Sequence, residues 1–173
     1  MVTELIARSQ SPGEPRSGNA GYLSEERVWQ VLSSVMDPEI PVLSVVDLGI
    51  VRYVRPESGR LHVGVTPTYS GCPATEVIQR SIREALAREE LGDVIVETVL
   101  SPPWTSDWLS EEGRRKLEAF GIAAPTTRAA SEVACPRCGS HDVERVSEFG
   151  STPCKAHYRC GDCLEPFDVF KCI

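Results

Sequence analysis

The sequence predicts an α/β chain: a two-layer sandwich of helices on a small mixed sheet, followed by a smaller module that its own core cannot hold together. Three observations predict it. Helical and strand periodicities alternate between residues 24 and 121. Residues 122–133, IAAPTTRAASEV, are small and polar enough for a linker. Beyond them lie six of the seven cysteines of the 173-residue chain, in a segment too short to bury a large core.

The elements follow in order. Residues 1–22 are rich in Ser, Gly, Pro and Arg and read as a mobile tail. The domain over 23–121 opens at Ser24, an N-cap whose Glu25 and Glu26 suit the positive end of a helix dipole. Val28, Val31, Leu32 and Val35 form one apolar helical face, and Asp37-Pro38 ends it. Val45 to Val54 and Leu61 to Val65 read as strands joined by a Pro-Glu-Ser-Gly turn. Val77, Ile78, Ile82, Ala85 and Leu86 predict a second helix closed by Gly92. Asp93 to Leu100 predicts a third strand, and Ser110 to Phe120 a last short helix. Trp104 and Trp108, between them, read as core and edge packing rather than a ligand cage.

Composition narrows the function classes. Acidic residues outnumber basic ones 25 to 18, a net charge of −7. Phosphate backbones would repel such a chain, which argues against nucleic acid as a partner. No apolar run has the length of a membrane span and the start lacks a signal-peptide core, so a cytoplasmic protein is expected. In a reducing compartment the cysteines are read as metal ligands or reactive thiols rather than disulfides.

The module over 134–173 carries Cys135-Pro-Arg-Cys138 and Cys160-Gly-Asp-Cys163. Two such pairs can close a four-thiolate shell with no open position, the structural type of zinc site. Alternation at Val143 to Val146, His157 to Arg159 and Phe167 to Phe170 supplies strands, so the segment is a zinc ribbon in outline. Zinc is the default metal; an iron–sulfur cluster can use the same ligands. Its charges, five basic and six acidic, suit protein docking or a structural role. Cys154 and Cys172 are surplus: small buried side chains, or a second thiol site with His157 or His141.

Cys72, in Ser-Gly-Cys-Pro, is the lone cysteine of the first domain. Pro73 suits the first helical position, which puts the sulfur beside unpaired amides expected to lower its pKa. A metal or cluster ligand, a nucleophile and a passive helix-start cysteine all remain open. His62, on a strand, reads as surface decoration rather than a base. One thiolate cannot hold a cluster, so a second subunit or a partner would have to add ligands; a homodimer sharing the metal is one such arrangement. Asp37, Glu39 and Asp47 are the remaining polar cluster. They could bind a cation or do acid–base work, but such residues more often cap their own loops.

MDPEIPVLSVVDLGIVR, followed by TPTYSGCPATEVI, resembles the iron–sulfur assembly-factor domain family with its Asp-Pro-Glu turn and Gly-Cys-Pro loop. SPPWTSDWLSEEGRRKLEAFGIAAP is similar to the end of that domain. With the tail FGSTPCKAHYRCGDCLEPFDVFKCI, residues 23–173 resemble the PaaD (PaaJ) family of accessory subunits of the multicomponent phenylacetyl-CoA epoxidase. The resemblance implies a non-catalytic maturation factor in aerobic phenylacetate degradation. Its cargo would be an iron–sulfur cluster or iron, held transiently, and its partners the iron–sulfur flavin reductase or the di-iron oxygenase. By position, the motif cysteine falls on Cys72, the acidic turn on Asp37 and Glu39, and the ribbon ligands on Cys135, Cys138, Cys160 and Cys163. The alternative is a structural subunit present stoichiometrically in the oxygenase complex.

Overall fold

A computed structural model describes residues 25–69, 71–89, 93–125 and 133–171. The expected tail, Ser24, Ser70, Gly92, most of the linker and Cys172 lie outside these residues. The first domain runs α1 (Glu25–Leu32), β1 (Val51–Glu57), β2 (Arg60–Val65), α2 (Ala74–Ala87), β3 (Val94–Thr98) and α3 (Glu111–Ala119). β1 and β2 are antiparallel, and β2 and β3 parallel, which makes the three-stranded mixed sheet β1-β2-β3. α2 is the crossover that a parallel pair requires. Leu32, Val63, Ile82, Leu86 and Leu117 meet in the fully buried centre.

α1 is shorter than the expected helix ending at Asp37. The hydroxyls of Ser33 and Ser34 donate to the carbonyls of Trp29 (2.8 Å) and Val31 (2.6 Å), offering the backbone an alternative to the helical ladder. The strand expected from Val45 starts only at Val51. Residues 45–50 form turns that bury Val45 and Leu48, with Gly49 at φ +65°. A Cβ at Gly49 would run into the Trp108 carbonyl, so glycine permits both the left-handed backbone and the close approach.

Those turns bury Asp47, which accepts from the Ser44 amide (2.9 Å), the Ser44 hydroxyl (2.8 Å) and the Lys116 ammonium (2.7 Å). Burial alone would raise its pKa, but Lys116 and Ser44 hold the carboxyl below its ordinary value. Asp47 thus clamps α3 to the first turns. Ser110 caps α3 by accepting from the Gly113 amide at 2.9 Å.

The second sheet has order β4-β7-β6-β5: β4 (Ile122–Ala123), β5 (Val143–Ser147), β6 (Lys155–Cys160) and β7 (Pro166–Phe170). Ile122 and Ala123, at the start of the expected linker, pair in parallel with Asp168 and Val169, so the sheet begins directly after α3. The ribbon has its own small core, which includes Tyr158, Phe167 and Val169. Phe170 and Cys154 leave it and join the core of the first domain. Phe170 meets Trp104 edge to face at 5.9 Å, and the Trp104 indole donates to the Leu48 carbonyl at 2.9 Å. Trp104 is therefore a packing residue, as expected, and Trp108 stacks under the Arg52 guanidinium at 3.4 Å.

Candidate metal centres

The four ribbon cysteines converge. In the first knuckle the Gly139 amide donates to the Cys135 carbonyl (2.8 Å), and Gly139 adopts φ +74° to close the turn. In the second, the Cys163 amide points at the Cys160 sulfur (3.5 Å). The Gly161 amide donates to the Asp142 carbonyl (2.7 Å), and an Arg137–Glu165 ion pair further ties the knuckles together. All four sulfurs lie within 4.8 Å of one another, with Cys135–Cys163 at 3.7 Å and Cys138–Cys160 at 3.6 Å. Sulfurs at about 2.3 Å from a tetrahedral ion stand about 3.8 Å apart, so the cage fits such an ion without rearrangement.

The charge chemistry agrees. Amides of Cys163 and Asp162 help hold the Cys160 thiol down to about 7. The Glu165 amide favours the Cys163 thiolate, yet burial and the three neighbouring sulfurs push that thiol up to about 12. Four thiols in one cage cannot all ionise unless a cation sits among them.

The second centre surrounds Cys72. Pro73 is the N-cap residue of α2, with Cys72 just before it, one position earlier than expected. Cys72 is half-buried. The expectation of a lowered pKa is corrected: burial raises it, and the charges of Glu39 and Asp37 raise it further, against the Ala74 amide and the Thr75 hydroxyl, which favour the thiolate. The Gly-Cys-Pro motif shows the helix end but not the carboxylates that the fold brings back to it.

Asp37 and Glu39 line the same pocket as Cys72. Asp37 Oδ1 accepts from the Glu39 (2.8 Å) and Ile40 (2.7 Å) amides, so this carboxylate also shapes its own turn. Burial raises its pKa despite those amides. Asp47 does not line the pocket, being held by Ser44 and Lys116. His62 is also elsewhere: its Nδ1 faces Glu97 at 3.4 Å, on the sheet.

Cys154 is a small buried side chain, the first of the two readings its sequence allows. Its side chain joins neither His157 nor His141; it lines the Cys72 pocket, with its sulfur 3.8 Å from Glu39 Oε2. His157 is 3.2 Å from Asp168 instead. No signal in the spacing of the ribbon cysteines marks Cys154 as an outward-facing residue.

Residues 25–99 match the family model described as an iron–sulfur cluster assembly protein, and residues 122–171 match the PaaD zinc beta ribbon domain. Together they define the class: an iron–sulfur assembly domain joined to a zinc ribbon. The chain belongs to the PaaD family. It is 48% identical over 151 residues to an Escherichia coli K12 protein named as a "Putative 1,2-phenylacetyl-CoA epoxidase" subunit, covering 84% of this chain and 92% of that protein. The first domain alone is similar to the Fe-S protein maturation auxiliary factor YitW of Bacillus subtilis, 39% identical over 95 residues, which covers 54% of this chain and 92% of that one. A crystal structure of Domain of Unknown Function DUF59 from Bacillus anthracis superposes with a TM-score of 0.51 at 27% identity, over 54% of this chain and 90% of that one. No described helix is long and apolar enough to cross a membrane.

Proposed function

We propose that this chain is a cytoplasmic, non-catalytic maturation factor of a phenylacetyl-CoA epoxidase system. It handles an iron–sulfur cluster or iron at Cys72 and passes it to a metal-bearing component, either the iron–sulfur flavin reductase or the di-iron oxygenase. The observation that carries the reading is the half-buried Cys72 thiol in a pocket with Asp37 and Glu39, on a domain similar to maturation factors. The ribbon cage holds zinc, which scaffolds the tail and takes no part in transfer.

The pocket residues suit a temporary guest. Glu39 and Asp37 set two carboxyl groups on the pocket wall, which draws a cation in. The raised pKa keeps Cys72 protonated until that cation displaces the proton, so loading strengthens as pH rises. The net charge of −7 supports a protein partner rather than nucleic acid.

The name of the Escherichia coli relative, as part of the epoxidase, favours one alternative: a structural component of the finished complex. Two experiments separate the readings. In cells that lack this chain, wild type restores epoxidase activity, whereas Cys72→Ala is expected to restore almost none while costing only about 1 kcal/mol of stability. Full restoration by Cys72→Ala overturns the assignment. Epoxidase that loses activity when this chain is stripped from the mature complex establishes the structural component instead.

A further inference from the structure

The pocket around Cys72 is built from both domains. Asp37, Glu39 and Cys72 come from the first domain; Cys154 and Phe170 come from the ribbon. Cys154 is 8% exposed and packs with the first domain's core, although it lies 115 residues from Glu39 in sequence. Its place is fixed by the ribbon sheet: the Lys171 amide donates to its carbonyl at 2.9 Å, and the turn from Thr152 leads directly into β6. Thr152 Oγ1 stands 3.0 Å from its sulfur and Glu39 Oε2 3.8 Å. The ribbon cage, with its four other cysteines, makes no use of it.

We propose that Cys154 is a second thiolate ligand of the Cys72 site, and that Cys72, Cys154 and Glu39 together hold one divalent cation of borderline softness. This rests on the reading of Cys72 as the cargo site and deepens it: the additional ligand comes from the ribbon of the same chain, not from another copy. Two sulfurs and a carboxylate favour ferrous iron, cobalt or zinc over magnesium or calcium, which take oxygen ligands. The cavity is about 20 Å³, room for one water-sized guest, so the closed pocket takes a single ion rather than a cluster. Among the described residues only the ribbon quartet has its ligand atoms already within 4.8 Å of one another. The pocket set is looser and must draw in around the ion, as suits a cargo that leaves again. Binding breaks two S–H bonds, releases two protons to solvent and forms two metal–sulfur bonds, with no change of oxidation state.

The test uses full-length protein whose cage is loaded with zinc, titrated anaerobically with cobalt(II). Wild type is expected to bind one cobalt with thiolate charge-transfer absorption. Cys154→Ser is expected to halve that absorption and weaken binding at least about tenfold, with zinc content and melting temperature retained. Cys72→Ser together with Cys154→Ser should abolish the band. In unmutated protein, cobalt should shield Cys72 and Cys154 together from iodoacetamide, a readout that survives even if a variant misfolds. If Cys154→Ser binds cobalt like wild type, or Cys154 alkylates equally fast with and without cobalt, while Cys72 is needed and shielded, the second ligand is overturned and the cargo site stands. If Cys72→Ser also binds normally, both fall.

Discussion

Cys160→Ser is expected to release the ribbon metal and unfold residues 122–171, while the first domain stays folded. Cys160 is fully buried at the centre of the cage, its sulfur served by the Cys163 and Asp162 amides. The ribbon core is small, and metal binding contributes on the order of 10 kcal/mol to folding such modules. That is as large as the whole stability of a typical domain, about 5–15 kcal/mol. Limited proteolysis with metal analysis checks this: cleavage should concentrate beyond Gly121, with the metal lost and α1 to α3 protected. A variant that keeps both its metal and its protection would show that the small apolar core, not the cage, holds the ribbon.

Phe170→Ala is expected to cost about 3–5 kcal/mol, the usual loss for a buried phenylalanine. Phe170 is 1% exposed and carries the contact between ribbon and first domain through Trp104. Truncation leaves a cavity at the wall of the Cys72 pocket, which Phe170 and Cys154 both line. Denaturant titration followed by tryptophan fluorescence reads the loss directly, because Trp104 is the contacted ring. A change within about 0.5 kcal/mol, the range of surface substitutions, would mean that the two domains do not lean on each other there.

The cage was legible because its spacing is chemistry: two pairs at fixed separation can close one shell, and nothing else accounts for them. The helices were legible through Val28, Val31 and Leu32, and through Ile78, Ile82 and Leu86, whose burial follows the 3.6-residue period. The docking of the ribbon was not. β7 alternates at Phe167 and Val169, which face the ribbon's own core, but Phe170 breaks the alternation and serves the other domain. Two adjacent buried residues at a strand end were the one available sign. The place of Cys154 was invisible for the same reason, since the pocket it lines is built mostly from residues of the first domain, among them Asp37, Glu39 and Cys72. The Cys72 pKa was misjudged because a helix end is a local feature, whereas burial and the carboxylates of Asp37 and Glu39 arrive only with the tertiary fold.

On this reading one chain carries two unlike sulfur centres, a permanent cage and an exchangeable pocket. The most direct measurement is zinc and iron per chain in anaerobically loaded protein, before and after a brief challenge with an iron chelator, for wild type and Cys72→Ala. Zinc should remain in both proteins, and iron should be present in wild type alone and leave it on challenge. Equal iron in Cys72→Ala, or iron that resists the chelator together with the zinc, would contradict it.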